Sequence, residues 1–139
     1  MSRVWALLAV LALAGCGGSS APKLDHATLT DVSVGASRVD FTFDSAPQTV
    51  RSAYAARGTL AECGSGAPVR PNGTAFLVVH FRPAQSQGVP KRIVMPSGVV
   101  VDVWKVCDFE ADVAWAIGLS RRVAVAVSRH DRHVILSFG

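Results

Sequence analysis

Asp108, Glu110 and Asp112 recur at every second residue. In an extended segment, residues two apart share a face, so these carboxylates would stand together and repel one another. A carboxylate pair can divide the work of general acid and general base, but only across a cleft or aromatic subsite that holds a substrate between them. The neighbouring sequence supplies neither, so a solvated loop or strand edge is the preferred reading. A hydrolase using Asp108 and Glu110 stays open to test. The histidines are His26, His80, His130 and His133. On one strand, His130 and His133 point to opposite faces, and a shared metal would need a turn to intervene. Surface and turn histidines are preferred, and no metal or cofactor is expected. Gly-x-Ser-x-Gly, His-Glu-x-x-His, a phosphate-binding glycine loop and Cys-x-x-Cys are all absent from the sequence. No catalytic set is therefore expected. Binding candidates remain. Trp104 alternates with Asp102 and is expected to be exposed enough to stack on a sugar ring, and Arg121-Arg122 can grip a carboxylate or phosphate. A charged hairpin end is the plainer account of the arginine pair.

Cysteine chemistry is more informative. A short basic start, Met1-Ser2-Arg3, precedes an uninterrupted apolar run over residues 4–13. That run has the length of a signal-peptide core and is too short to span a bilayer. Leu13-Ala14-Gly15-Cys16 then resembles a bacterial lipobox, with cleavage after Gly15 and acylation of the Cys16 thiol. More than one acyl chain holds a protein firmly, since each buried methylene contributes about 0.8 kcal/mol. Residues 1–15 are thus expected to be a lipoprotein signal peptide, and residues 16–26 a lipidated N-terminus and flexible tether rich in Gly and Ser. The expected location is the extracytoplasmic face of a bacterial cell membrane. Assigning Cys16 to lipid leaves Cys63 and Cys107, an even pair in an oxidising compartment, and a disulfide is expected between them. The formal charge of +4 is a mild excess spread along the chain. It does not resemble a nucleic-acid patch, and no nucleic-acid partner is expected.

Residues 27–139 are expected to form one domain. Hydrophobic spacing there has period two. Residues 29–34 and 38–44 read as a hairpin around Gly35-Ala36-Ser37, with Val39, Phe41 and Phe43 on one face. Residues 48–56, 75–81, 99–106, 112–119, 123–128 and 134–138 read as further strands. Residues 75–81 are apolar on both faces, as a central strand would be. Residues 57–74, rich in Gly, Pro and Ala, read as loop. Residues 82–98 form a long connection whose prolines, Pro83, Pro90 and Pro96, argue against a long helix. Trp115 shares the apolar face of its strand and is assigned to the core. Gly118 within that strand suggests a bulge or a close backbone approach. About eight strands without helical period imply an all-β fold, an antiparallel β-sandwich or small barrel.

Two stretches carry a resemblance. Thr30-Asp31-Val32-Ser33-Val34-Gly35 leads into Arg38-Val39-Asp40-Phe41-Thr42-Phe43-Asp44. Later, Val106-Cys107-Asp108-Phe109-Glu110-Ala111-Asp112 continues through Val113-Ala114-Trp115-Ala116-Ile117-Gly118-Leu119-Ser120-Arg121-Arg122. Together they resemble the AMIN-like domain of small actinobacterial lipoproteins, over most of the chain from residue 27. That family is distantly similar to the AMIN domains of cell-wall amidases and secretins, β-sandwiches that target partners to peptidoglycan without catalysis of their own. The resemblance implies a non-enzymatic, lipid-anchored envelope protein that binds peptidoglycan or an envelope protein. The alternative is an extracytoplasmic lipoprotein that holds a small apolar ligand between its sheets.

Overall fold

A computed structural model of the chain describes residues 26–139. Gly15, Cys16 and most of the expected tether lie outside the described residues. The strands are β1 (Ala27–Gly35), β2 (Arg38–Phe43), β3 (Thr49–Ala55), β4 (Ala75–Arg82), β5 (Ala84–Ser86), β6 (Arg92–Val94), β7 (Val100–Phe109), β8 (Asp112–Leu119), β9 (Val125–His130) and β10 (His133–Phe138). They form two five-stranded sheets, ordered β5-β1-β2-β10-β9 and β3-β4-β8-β7-β6. The fold is an all-β sandwich and not a closed barrel. All pairings are antiparallel except β1 with β5.

Ten strands replace the expected eight or so. The two extra ones, β5 and β6, occupy the connection over residues 82–98 and have three residues each. A three-residue strand at a sheet edge shows no period, so only its partner reveals it. The Arg82–Pro83 peptide is cis, where the chain leaves the second sheet for the first.

The alternation read from the sequence becomes the interior. Phe41 and Phe43 of the first sheet meet Phe81 of the second with ring centroids 4.9 Å apart in each case, and Phe41 lies 5.8 Å from Trp115. Trp115, Ile117, Val79, Leu136 and their neighbours are fully buried. Fully burying each such side chain contributes about 1.5–3 kcal/mol. The second sheet is also apolar on its outer face. Phe76, Val106, Cys107, Ala114 and Ala116 form a separate cluster there with Leu60 and Val69 of the β3–β4 connection.

Residues 56–74 fold over that outer face. Within the segment, Val69 N–H donates to Leu60 O and Glu62 N–H to Ala67 O. Cys63 is joined to Cys107 by a disulfide, and Cys63 N–H donates to Val106 O at 3.0 Å. Cross-linking a loop of this length stabilises by roughly 2–4 kcal/mol in the chain-entropy account. Gly118 lies under the end of the same segment. A Cβ there would meet Asn72 O at 1.9 Å, so a close backbone approach explains this glycine. A register shift in β7 between Val100 and Asp102 accompanies it.

The β7–β8 turn breaks the acidic run. Asp108, Glu110 and Asp112 do not share a strand face. Asp108 pairs with core-facing Val113, and Asp112 pairs with Phe109, so the two carboxylates point to opposite sides of the sheet. Glu110 and Ala111 form the turn between them, both left-handed with φ of 51° and 62°. Each such residue costs roughly 1–2 kcal/mol when it carries a Cβ. Glycine removes that cost but loses about 0.5–1 kcal/mol more entropy on folding. Ala111→Gly is therefore expected to stabilise the fold by about 0.5–1 kcal/mol in urea unfolding. Destabilisation by that variant would contradict the strain assigned to this turn.

Candidate functional site

The outer face of the second sheet carries an open groove of about 790 Å³. Its floor is made of small side chains, Ala53 and Ala55 from β3, Val78 from β4 and Ala114 from β8. One wall is the folded-over segment, through Thr59, Leu60, Ala61 and Cys63. The groove exists because outward positions on three adjacent strands hold Ala or Val, and because the disulfide fixes the wall at one height.

Polar groups gather at one end: Arg51, His80 and Asp112. His80 Nδ1–H donates to Asp112 Oδ1 at 3.0 Å, and Arg82 Nη2 donates to Asp112 Oδ2 at 2.8 Å. A carboxylate offers only acceptors, which fixes the proton on His80 Nδ1 and leaves its other ring nitrogen available. Burial pushes the Asp112 carboxyl upward. Hydrogen bonds from Arg82 and His80, with their charges, outweigh it and hold the group below the usual carboxylate value. Arg51 has no ion-pair or hydrogen-bond partner among the described residues.

A second carboxylate secures the roof of this face. Asp102 is fully buried. Arg92 clamps it with two hydrogen bonds, Nε to Oδ1 at 3.0 Å and Nη2 to Oδ2 at 2.7 Å. Asn72 N–H donates to Oδ2 at 2.7 Å. A buried charge is tolerated only when paired and hydrogen-bonded in this way. Asp102 thus ties β6 and the end of the 56–74 segment to β7.

The residues singled out from the sequence do not converge. Trp104 lies on the outer face but is covered: the Arg92 guanidinium stacks 4.2 Å from its ring centroid. Its Nε1 is buried with no hydrogen-bond partner among the described residues. Half-buried rather than exposed, Trp104 packs against the apolar cluster under the segment. Asp108 accepts from Ser86 Oγ, and Lys105 Nζ lies 3.7 Å from it, in a small network away from the groove. Glu110 stands exposed in its turn. Arg121 and Arg122 precede β9, and Arg122 stacks 4.2 Å from the Tyr54 ring centroid. His133 Nδ1–H donates to Asp40 Oδ1 at 2.9 Å, an ion-pair geometry that does not involve His130. Among the described residues, no three His, Cys, Asp or Glu side chains gather at metal-binding distance.

Sequence reasoning missed Arg51, His80 and Asp112 as a group. One signal was present: His80, with Arg82 two residues on, breaks the apolar face that Phe76 and Val78 begin. Its partner lies 32 residues away in sequence, and only the β4–β8 pairing brings them together.

The described residues thus form a two-sheet sandwich with a groove on one outer face. The model of the AMIN-like domain family matches residues 27–137, and the chain belongs to that family. Comparison with curated proteins and with solved structures returned no match.

The Asp112 network makes stability depend on pH with a definite sign. A carboxyl held below its unfolded value near 3.9 contributes stability above that pH and loses it as pH falls through the folded value. The stability gap between the wild type and Asp112→Asn in urea unfolding is expected to be largest at neutral pH and to shrink between about pH 5 and pH 3. Curves that stay parallel over that range would show that the carboxylate's charge is not used.

Proposed function

We propose that the protein is a non-enzymatic cell-envelope module, lipid-anchored at Cys16, that binds cell-wall glycan in the outer groove. Membership of the AMIN-like domain family supports a wall-associated role. The observation that carries the glycan reading is the groove itself: a flat floor of methyl groups beside a polar end formed by Arg51, His80 and Asp112. Sugar rings present apolar C–H faces and peripheral hydroxyls, and such a surface meets both. The centre of the sandwich is filled by Phe41, Phe43, Phe81 and Trp115, which leaves an apolar ligand no room between the sheets at that level. The carboxylates Asp108 and Glu110 stand outside the groove, so neither can act on a glycan bound there.

The test is co-sedimentation of the full chain, in detergent, with sacculi stripped of their anionic polymers by acid. Binding is expected at low and moderate salt. Ala53→Phe places an aromatic ring on the exposed floor and is expected to weaken the binding constant about tenfold, a loss of roughly 1.4 kcal/mol, with unfolding unchanged. No sedimentation at either salt concentration, or equal sedimentation of wild type and variant, would remove glycan binding in this groove. Retention by an envelope protein would then be the better account.

A further inference from the structure

The charges of the described residues are sorted between the two sides of the sandwich. Arg51, Arg57, Arg70, Arg121, Arg122 and Arg129 have no carboxylate within 4 Å among the described residues, whereas both described lysines and the other four arginines do. The six belong to three stretches, residues 45–57, 63–82 and 113–130, that contain no Asp or Glu.

Contacts bring those stretches to one edge. β3 ends the second sheet and β9 ends the first. Arg129 of β9 reaches across to donate to the carbonyls of Pro47 and Gln48, just before β3. At the other end of β3, Arg122 stacks on Tyr54, whose hydroxyl donates to Val123 O at 2.6 Å. Arg51 lies between them on β3. Beyond Tyr54, Arg57 Nη2 donates to Gly73 O at 2.8 Å, and Thr74 Oγ1 donates to Ser120 O at 2.8 Å, next to Arg121. Arg57 and Arg70 line one small hollow of about 290 Å³. The arginines therefore follow β3, a seven-residue strand and so about 23 Å long. Of the acids flanking these stretches, Asp112 is held by His80 and Arg82, and Asp131 lies 4.0 Å from Arg132.

We propose that the β3/β9 edge is a binding surface for a linear phosphodiester polyanion. All the unpaired cations are arginines, whose planar forks match phosphate oxygens with two donors each. They form a row along a strand rather than a plane. The exposed side chains of β3 are Thr49, Arg51, Ser52 and Ala53, and Val127 is the one large exposed apolar residue on β9. An edge of this kind offers little to insert into a bilayer. β1 lies beside β5, at the edge of the first sheet opposite β9. This surface borders the groove and shares Arg51 with its polar end, whereas Arg121 and Arg122 do not line the groove; the inference rests on the arginine row and not on the glycan reading.

The experiment measures binding of the full chain, in detergent, to a synthetic glycerol-phosphate polymer and to polyglutamate, over a salt series. Tightest binding to the glycerol-phosphate polymer is expected, with affinity falling steeply as salt rises, since each neutralised phosphate adds about 0.7 to the slope for a single strand. Arg51→Gln with Arg121→Gln removes two side chains that make no hydrogen bond or ion pair among the described residues, and should weaken that binding about tenfold and lower the slope by roughly 1.4. Arg38→Gln with Lys91→Gln removes the same charge elsewhere and should leave affinity within about twofold. Equal losses in the two double variants would reduce the effect to net charge and overturn the proposal. Tighter binding to polyglutamate would assign the edge to an acidic peptide and would also overturn the proposal.

Discussion

The second sheet has apolar side chains on both faces, and a two-sheet sandwich can cover only one of them. The other face is covered by residues 56–74, which have no regular strand of their own and are pinned at two points. One pin is covalent, Cys63 to Cys107. The other is the buried Asp102 carboxylate, which accepts from Asn72 N–H and from both ends of the Arg92 fork. Between the pins, Leu60 and Val69 bury the patch formed by Phe76, Ala114 and Ala116. Without this cover, the sheet would present an apolar surface of the kind that drives association.

The cover stops short of β3, and the groove is what it leaves uncovered. Its floor is low because Ala53, Ala55 and Ala114 carry only methyl groups, and its wall is fixed because the disulfide reaches from the wall to the neighbouring strand. The polar end is equally constrained. Asp112 is held by Arg82 and His80, so His80 has a fixed ring orientation and one free nitrogen. The basic edge beyond β3 follows from a different feature. Asp112 of β8 is the carboxylate that lines the groove beside Arg51, and His80 and Arg82 already engage it; among the described residues, six arginines on the β3/β9 side have no carboxylate within 4 Å.

The sequence was informative wherever structure is local and periodic. Val113, Trp115, Ile117 and Leu119 announced β8 with its ends in place, and Val39, Phe41 and Phe43 announced β2 and its inward face. The cysteine pairing also followed, once Cys16 had been set aside for lipid. Gly118 signalled the close approach of another backbone. The parts that stayed hidden depend on partners far apart in the chain. Asp102 looks like one more alternating polar residue until Arg92 and Asn72 close around it. Asp112 looked like a member of an acidic run, because nothing in Glu110-Ala111 announces a left-handed turn. Neither residue is the Gly or Asn that such a turn prefers. Trp104 appeared available for stacking on a ligand, yet Arg92 already occupies its face. The groove itself has no sequence pattern, since it is the space between a strand pair and a folded-over loop.

Hydrogen–deuterium exchange in wild type and in Cys63→Ser/Cys107→Ser tests most directly whether this cover is a pinned layer on a sandwich that stands without it. The amides of Cys63 and Val69, bonded to Val106 O and Leu60 O, are predicted to exchange about tenfold faster or more in the variant, while amides of β4 and β8 keep their protection. Unchanged protection across residues 57–74, or loss of protection in β4 and β8 together with that segment, would contradict the account.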